Sequence, residues 1–248
     1  MITIKNSHEI EAMREAGRIT SAARALAGEL VKPGVSTKAI DRAVHDFIVS
    51  HGAKPSFLGL YGFPASACIS VNEVVIHGIP GGYILKEGDI VSVDVGAFYK
   101  GFHGDCAATF ACGAISTEAQ RLIDVTKQSF FEGIAFAKKG NRVQDISHAV
   151  QTYVESNGFS VVRSFVGHGV GRQLHEEPEV PNYGKPGHGV RLMPGMTFCI
   201  EPMINQKGDA VRVLKDGWTV VTANGSLSAH FEHEIAVTKD GPVILTRP

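Results

Sequence analysis

The pattern of apolar and polar positions predicts long helices in the first part of the chain. Over residues 7–31, apolar residues recur at roughly helical spacing, and the Pro33-Gly34 step cannot continue a helix. A second helix is predicted to begin after a cap at Ser36 or Thr37 and to end at Gly52.

Shorter runs of apolar and β-branched residues predict strands between these helices and after them. These runs lie at 56–58, 67–71, 74–77, 196–201 and 229–237, and a hairpin over 89–105 turns around residues 99–101. The pattern therefore predicts an α+β chain with antiparallel sheets.

The chain also repeats part of its own pattern. Residues 33–44 align with 139–150, and a Ser-Phe pair follows in each copy, as Ser56-Phe57 and Ser164-Phe165. The second copy follows a further predicted helix over 116–139. A chance likeness between two helix-turn-helix patterns is the alternative explanation.

We interpret the repeat as two similar halves of one catalytic domain that covers 1–248, roughly 1–112 and 113–248. Each half is expected to contain two helices and an antiparallel sheet. If the halves pack around a pseudo-twofold axis, their sheets join into one curved sheet with helices on its outer face. The concave side then holds a site to which both halves contribute.

Composition and charge narrow the classes of function. The chain has 248 residues and a formal net charge of −1, so it has no broad basic field for binding nucleic acid. It has no signal-peptide core and no apolar stretch of the length that spans a membrane. Its four cysteines form no C-x-x-C pair and are typical of reduced thiols in a cytoplasmic protein.

The hairpin carries two aspartates that suggest a metal site. Asp94 ends the first apolar run, and Asp105 lies on the returning arm. A turn near 99–101 places them across the ladder, where two carboxylates directly opposite each other repel unless a cation lies between them. The alternative is an exposed hairpin with two solvated aspartates.

The second half supplies further polar residues. His168 lies between glycines in a segment that is not a dinucleotide loop, since Arg172 replaces a required glycine, and these glycines are expected to let the backbone approach a ligand closely. Glu201 ends a predicted strand. Glu232 lies inside another, on the face shared by His230 and Glu234. A glutamate between apolar strand residues is costly unless it is paired or bound to a metal.

Over nearly its whole length the chain resembles the type I bacterial methionine aminopeptidases, whose fold is called pita-bread. Several motifs in order carry the resemblance: Asn72–Pro80, Asp94 with Gly101–Asp105, Gly167–Gly171, His175–Pro178, Glu201–Met203 and Phe231–His233. The resemblance implies a hydrolase that removes the initiator methionine from nascent chains and peptides with a small second residue.

The resemblance also implies roles for individual residues. Two divalent ions (Co²⁺, Mn²⁺, Fe²⁺ or Zn²⁺) would activate the water that attacks the peptide bond, and their ligands would be Asp94, Asp105, His168, Glu201 and Glu232. Glu201 would also carry a proton. His175 would stabilise the oxyanion, and His77 would contact the scissile amide or the intermediate. The apolar pocket for the methionine side chain would consist of Phe63, Cys68, Leu174 and Trp218, with His77 and His175 beside it.

Five positions depart from the family pattern. Leu60-Tyr61 replaces Tyr-His, Leu174 stands where an aromatic residue is common, His230 replaces Gln, and Glu234 replaces Thr. These departures leave the five implied ligands intact. They put substrate preference and efficiency in doubt and favour the hypothesis of a secondary paralogue.

Two alternatives share this fold. A proline-specific peptidase is expected to carry an extra N-terminal domain, for which this sequence leaves no room before its first helix. A non-catalytic binding protein is expected to lose metal ligands, whereas this chain retains all five. We therefore expect a cytoplasmic, monomeric enzyme with peptide N-termini as partners, without nucleic-acid or membrane partners.

Overall fold

Four helices carry the outer layers of the structure, a computed structural model that describes residues 1–247. They are α1 (Ser7–Leu30), α2 (Thr37–Ser50), α3 (Thr117–Ile134) and α4 (Val143–Ser156). All four lie where the sequence predicts helices. No helix within 1–247 has both the length and the apolar character needed to cross a bilayer.

Side-chain caps set the beginnings of three helices. The Asn6 side chain accepts hydrogen bonds from the His8 and Glu9 backbone amides, and Glu9 accepts one from the Asn6 amide, so α1 begins at Ser7. The Ser36 and Ser116 side chains cap α2 and α3 by accepting hydrogen bonds from the Ala39 and Ala119 amides.

The α3 helix ends earlier than the sequence predicts. The prediction extends it to residue 139, whereas the helix ends at Ile134. After that point the amides of Phe136 and Ala137 donate to carbonyls three residues back, which tightens the chain into turns. Ala137 is buried in the core by this arrangement.

Fifteen strands lie between and after these helices within residues 1–247. They are β1 (Lys54–Pro55), β2 (Ala67–Val71), β3 (Val74–Ile76), β4 (Ile90–Tyr99), β5 (Phe102–Ala111), β6 (Ser160–Val161), β7 (Gly167–Gly169), β8 (Glu176–Val180), β9 (Thr197–Ile200), β10 (Met203–Asn205), β11 (Val211–Val213), β12 (Val220–Thr222), β13 (Ser228–His230), β14 (His233–Thr238) and β15 (Gly241–Ile244).

All strand pairs are antiparallel, and they form four hydrogen-bonded sheets in the described part of the chain. In the first sheet, β4 pairs with β5 along one edge and with β1 and β2 along the other. A five-stranded sheet has the order β15-β14-β9-β7-β8, and two three-stranded sheets have the orders β13-β10-β6 and β11-β12-β3.

The main cores lie between helices and sheets. One packs α1 and α2 against the first sheet, with Ile40, Val44 and Val93 fully buried. Another packs α3 and α4 against the five-stranded sheet, with Phe130 and Phe198 fully buried. The repeat relates α2 of the first core to α4 of the second, and in each core a longer helix, α1 or α3, precedes the repeated one. The predicted division at 112/113 falls between β5 and α3. One strand pair, β3 with β12, crosses this division, so the boundary between the halves stays a prediction.

The first sheet joins the second half of the chain through the end of β5. Ala107 and Glu232 exchange backbone hydrogen bonds of 3.3 and 2.9 Å. The Arg24 guanidinium donates to the carbonyls of the same two residues at 3.2 and 3.3 Å. These bonds bring the segment around Glu232 next to the hairpin that carries Asp105.

Two predicted strands differ from the structure. Residues 56–58 form a bend rather than a strand. The strand predicted over 229–237 breaks at Phe231 and Glu232, because the backbone of Glu232 bonds to Ala107 instead of continuing a ladder. Glu232 therefore lies between strands β13 and β14. The predicted alternation that places His230, Glu232 and Glu234 on one strand face is interrupted there.

Candidate metal centre and its cavity

The hairpin places Asp94 and Asp105 on one face of the first sheet. Asp94 pairs with Ala107, and Asp105 pairs with Gly96, so the carboxylates are diagonal neighbours two positions apart. The prediction that they are directly opposite is wrong. The two carboxyl groups are still close enough for Asp94 to raise the pKa of Asp105.

The connection between the arms is a two-residue turn. Lys100 and Gly101 have φ values of 49° and 87°, which match the paired left-handed conformations of a tight hairpin turn. The turn fixes the register that carries Asp105 into the interior, where it is 3% exposed. The alternative of an exposed hairpin with two solvated aspartates is therefore wrong.

His168 on β7 presents one ring nitrogen to the carboxylates. Its Nδ1 lies 2.9 Å from the Gly169 carbonyl, and because a carbonyl only accepts, Nδ1 carries the hydrogen. The other nitrogen, Nε2, then has a lone pair in the neutral ring. It lies 3.8 Å from Asp105 Oδ2 and 3.5 Å from Glu201 Oε1. This is the arrangement in which a histidine binds a metal ion.

The glycines beside His168 pack closely against neighbouring strands, and their predicted role in the approach of a ligand stays a prediction. A Cβ on Gly167 would collide with the Cys199 carbonyl, and one on Gly169 would collide with the Glu177 carbonyl. The glycines therefore allow β7 to lie close to its neighbouring strands. This close packing positions His168.

The glutamates reach the same place from two other segments. Glu201 follows β9 directly, and the Asn182 side chain holds its carbonyl at 2.9 Å. Glu232 lies in the break between β13 and β14. One carboxylate oxygen each of Asp105 and Glu232, Nε2 or Nδ1 of His168 and Sγ of Cys199 all lie within 4.8 Å of one another.

These carboxylates lack the partners that burial normally requires. One oxygen on each of four residues has no hydrogen-bond partner within residues 1–247; these residues are Asp94, Asp105, Glu201 and Glu232. A buried unpaired carboxylate costs several kcal/mol by desolvation, on the order of the penalties measured for buried ions. A divalent cation between them would remove this cost, so the residues present fit a metal site.

Burial raises the pKa of every carboxyl group in this cluster. It raises the pKa of Asp94 to about 7. It raises the pKa values of Asp105, Glu201 and Glu232 well above the usual range, and the neighbouring carboxylates add to the effect. Without a cation, the folded protein therefore retains protons on these groups at pH values where the unfolded chain has lost them.

The apoprotein is expected to lose stability as pH rises from about 7.5 to 9. A carboxyl whose folded pKa is raised stabilises the fold below its ordinary pKa, and this contribution is lost as pH rises through the folded value. The buried histidines have lowered pKa values, so their contribution becomes constant above about pH 7.5, where the imidazoles of the unfolded chain are neutral too.

The melting temperature in EDTA, measured across this interval, tests the prediction. Repeating the series with Mn²⁺ should show a metal-induced rise in melting temperature that grows with pH, because the ion requires ionised carboxylates. A melting temperature in EDTA that stays constant between about pH 7.5 and 9 would contradict the buried-carboxyl account.

Cys199 is a member of the cluster that sequence analysis missed. Its thiol pKa lies well above the usual range because of burial and the surrounding carboxylates, and its Sγ lies within 4.8 Å of a carboxylate oxygen of Glu232. It is therefore a neutral neighbour of the carboxylates rather than a thiolate. Strand alternation could have found it, since Cys199 precedes Glu201 by two positions.

All the predicted site residues line one cavity of about 860 Å³. The five predicted ligands do so together with His77, His175, Phe63, Cys68, Leu174 and Trp218. Phe63, Cys68 and Leu174 form a buried apolar cluster with Phe57 and Ala65, against which Trp218 packs. The Phe63 and Trp218 rings meet edge to face at 5.2 Å. The cavity thus joins an apolar slot to the carboxylate cluster.

The two predicted catalytic histidines lie beside the cluster and the slot. His77 has a φ of 57°, unusual for a residue other than glycine, and its ring lies 6.3 Å from that of Trp218. The His175 ring lies 4.4 Å from that of His168. Burial lowers the pKa of His77 to about 4 and also lowers the pKa of His175. Both rings are therefore neutral near pH 7, and each has one N–H to donate.

Sequence analysis also missed two phenylalanines that line the cavity. Phe57 closes the apolar slot, and the Phe165 ring lies 5.9 Å from that of His77. These are the equivalent residues of the repeated Ser-Phe pair. The repeat was therefore a signal that could have identified both. Leu60 and Tyr61, two of the departures, line the cavity as well.

A buried ion pair ties the N-terminal segment to the loop that carries His175. Lys5 Nζ lies 2.6 Å from Glu176 Oε2, and the side chains are 2% and 12% exposed. The Lys5 amide also donates to the Gly195 carbonyl at 2.8 Å. Since Glu176 follows His175 directly, this pair helps to fix the imidazole that faces His168.

Lys5→Met is expected to lower the free energy of unfolding by about 3–5 kcal/mol, because it leaves the buried Glu176 carboxylate unpaired. Adding Glu176→Leu should recover much of the loss. The exposed pair of Arg42 and Asp46 is the control, and Arg42→Ala should cost less than about 1 kcal/mol. Urea unfolding measures all of these variants. Equal losses in the free energy of unfolding for Lys5→Met and Arg42→Ala would show that the buried pair stabilises the fold no more than an exposed pair does.

Comparison with known proteins agrees with this site. The model of metallopeptidase family M24 matches residues 11–239. A methionine aminopeptidase of Clostridium perfringens is 58% identical over 246 residues, 99% of each chain, and methionine aminopeptidase 1 of Bacillus subtilis is 51% identical over 247 residues, 100% of each.

The fold agrees equally well. The crystal structure of methionine aminopeptidase from Thermotoga maritima superposes with a TM-score of 0.98 at 45% identity and covers 100% of both chains. The fold and the carboxylate-rich site define a metal-dependent peptidase. This chain belongs to metallopeptidase family M24, and the predicted pita-bread fold of the α+β class is confirmed.

Proposed function

We propose that this protein is an aminopeptidase that removes the N-terminal methionine from proteins and peptides whose second residue is small. The observation that carries the proposal is a single cavity lined by both the cation-binding cluster and a closed apolar slot. The methionine aminopeptidases to which the chain is similar over its full length support the same reaction.

Two divalent ions are proposed to bind Asp94, Asp105, His168, Glu201 and Glu232. Four carboxylates and one imidazole form a mainly oxygen ligand set suited to Mn²⁺, Fe²⁺, Co²⁺ or Zn²⁺. The chemistry that such ions supply when bound is a lowered pKa for a water molecule and polarisation of a carbonyl. The buried carboxylate oxygens without partners support this assignment.

The remaining steps belong to side chains of this protein. Glu201 accepts a proton from the attacking water and passes it to the amide nitrogen that leaves as the new N-terminus. His175, beside His168, donates to the oxyanion that forms on the carbonyl oxygen. His77, between Phe165 and Trp218, contacts the scissile amide or the intermediate. The neutral state of both histidines supports these donor roles.

The apolar slot is the proposed binding site for the methionine side chain. Phe63, Cys68, Leu174 and Trp218 offer no charged group, and a long flexible thioether fills such a slot well. A lysine or glutamate at the first position would be buried without a partner and rejected. Leu174 is smaller than the aromatic residue common at this position, which leaves the slot somewhat wider.

A panel of tripeptides assayed with Mn²⁺, Fe²⁺ and Co²⁺ tests the proposal. Met-Ala-Ser and related peptides with Gly or Ser second should be cleaved, and those with Lys or Phe second should be cleaved poorly. Leucine or norleucine at the first position should be cleaved slowly, since such changes alter discrimination by about 1–3 kcal/mol. Faster cleavage of Ala-Pro-Gly than of Met-Ala-Ser would establish a proline-specific peptidase instead.

The setting of the enzyme is proposed on the same basis. Its partners are the N-termini of nascent polypeptides and peptides, and the chain acts as a monomer in the cytoplasm. The four free cysteines, Cys68, Cys106, Cys112 and Cys199, support the cytoplasmic setting.

A further inference from the structure

His230 is buried against the proposed metal ligands without a polar partner for its side chain. The residue is 2% exposed, and its Nε2 has no hydrogen-bond partner within the described part of the chain. This nitrogen lies 3.8 Å from Oε2 of Glu201. A buried ring nitrogen in this state is costly, so a partner is expected in the working enzyme.

Glu201 lies between two imidazoles that differ in whether the facing ring nitrogen can donate a hydrogen bond. Its Oε1 faces Nε2 of His168 at 3.5 Å, and its Oε2 faces Nε2 of His230. His168 carries its hydrogen on Nδ1, which the Gly169 carbonyl accepts, so its Nε2 cannot donate in the neutral ring. No such bond fixes His230 among residues 1–247, so its Nε2 is free to carry the hydrogen.

The backbones of both residues are held in place. The Thr109 hydroxyl accepts from the His230 amide and donates to the His230 carbonyl, each at 2.9 Å. His230 pairs with Met203, which follows Glu201 by two residues. The Asn182 side chain holds the Glu201 carbonyl. The two side chains can therefore approach each other by side-chain rotation, without movement of the backbone.

We propose that His230 is a positioning residue that donates a hydrogen bond from Nε2 to Oε2 of Glu201 and leaves Oε1 to the metal. The inference rests on the proposed role of Glu201 as a ligand. A shift of about 0.8 Å brings the two atoms into hydrogen-bond range. Carboxylates that bind metals are usually held by such outer partners, whose loss lowers metal affinity by about 10–100-fold.

Two variants separate the donor from the space that the ring fills. His230→Gln keeps an N–H donor on a side chain of similar reach, and His230→Leu keeps an apolar group of similar size without a donor. Calorimetric titration of the apoproteins with Mn²⁺ should show about 10–100-fold weaker binding by His230→Leu and nearly unchanged binding by His230→Gln. The kcat of His230→Leu for Met-Ala-Ser should fall more than its KM rises.

Melting temperatures in EDTA verify that the variants fold, and His230→Met replaces His230→Leu if the latter does not. Wild-type Mn²⁺ affinity in the donor-free variant would overturn this inference alone. Equally weakened Mn²⁺ binding by His230→Gln and His230→Leu would overturn it too. Altered visible absorption bands of Co²⁺ bound to His230→Gln would also overturn it, since they would indicate that His230 is a direct metal ligand. Failure of the wild-type protein to bind Mn²⁺ would overturn the proposed metal centre itself.

Discussion

Asp105→Asn is expected to abolish nearly all peptide cleavage and to remove at least one metal ion, with the fold retained. Asparagine keeps the shape of the side chain but lacks the charge. Asp105 lies in the cluster beside Asp94, and its Oδ2 is 3.8 Å from Nε2 of His168. Its loss therefore affects both proposed ions. Elemental analysis of the purified protein, with a cleavage assay on Met-Ala-Ser, measures both effects.

The same variant makes a prediction of opposite sign for the apoprotein. Because the buried carboxyl of Asp105 is costly without a cation, its neutral replacement should keep or raise the melting temperature in EDTA. Asp209→Asn, at an exposed residue paired with Arg163, is a matched control and should change neither activity nor metal content. Full turnover by Asp105→Asn would invalidate the ligand assignment.

His175→Ala is expected to lower kcat by about 10²–10³-fold with little change in KM, the usual effect of removing one donor to a developing oxyanion. Its ring lies 4.4 Å from His168 and stacks on Tyr61 at 6.2 Å. It lines the cavity without belonging to the proposed ligands, so the metal content should stay unchanged. Steady-state kinetics on Met-Ala-Ser and elemental analysis test the two statements.

The exposed His188 supplies a control of the same residue type. His188→Ala should leave kcat, KM and metal content at wild-type values. If His175→Ala raised KM and left kcat unchanged, His175 would act in substrate binding and the proposed oxyanion role would be wrong.

Local features of the sequence were sufficient to locate the four helices and the hairpin, although not the end of α3 or the exact pairing of Asp94 and Asp105. Ser36 and Ser116 are caps whose effect depends on neighbouring residues, and the Lys100-Gly101 turn determines its own register. The break at Glu232 could not be predicted from the local pattern. It depends on hydrogen bonds to Ala107, 125 positions away in the chain, which exist only after both halves have packed.

The same distinction holds for the site. The family motifs predicted five metal ligands and a set of substrate-binding residues. The structure brings all of these residues to one cavity. Lys5 and Glu176 are separated by 171 positions, and nothing in either local sequence indicates that they pair. The burial of His230 beside Glu201 likewise follows from the pairing of β13 with β10. Contacts of this kind require the tertiary structure.

Anomalous diffraction from crystals soaked in Mn²⁺ tests the central claim most directly. The account predicts two anomalous peaks within coordination distance of Asp94, Asp105, His168, Glu201 and Glu232, each at about 2.0–2.3 Å from oxygen or nitrogen ligands. Cys199 should remain outside the ligand set, because Mn²⁺ prefers carboxylate oxygen to thiolate sulfur. The absence of any peak in this cavity, or a peak bound to Cys199 Sγ in place of the carboxylates, would contradict the account.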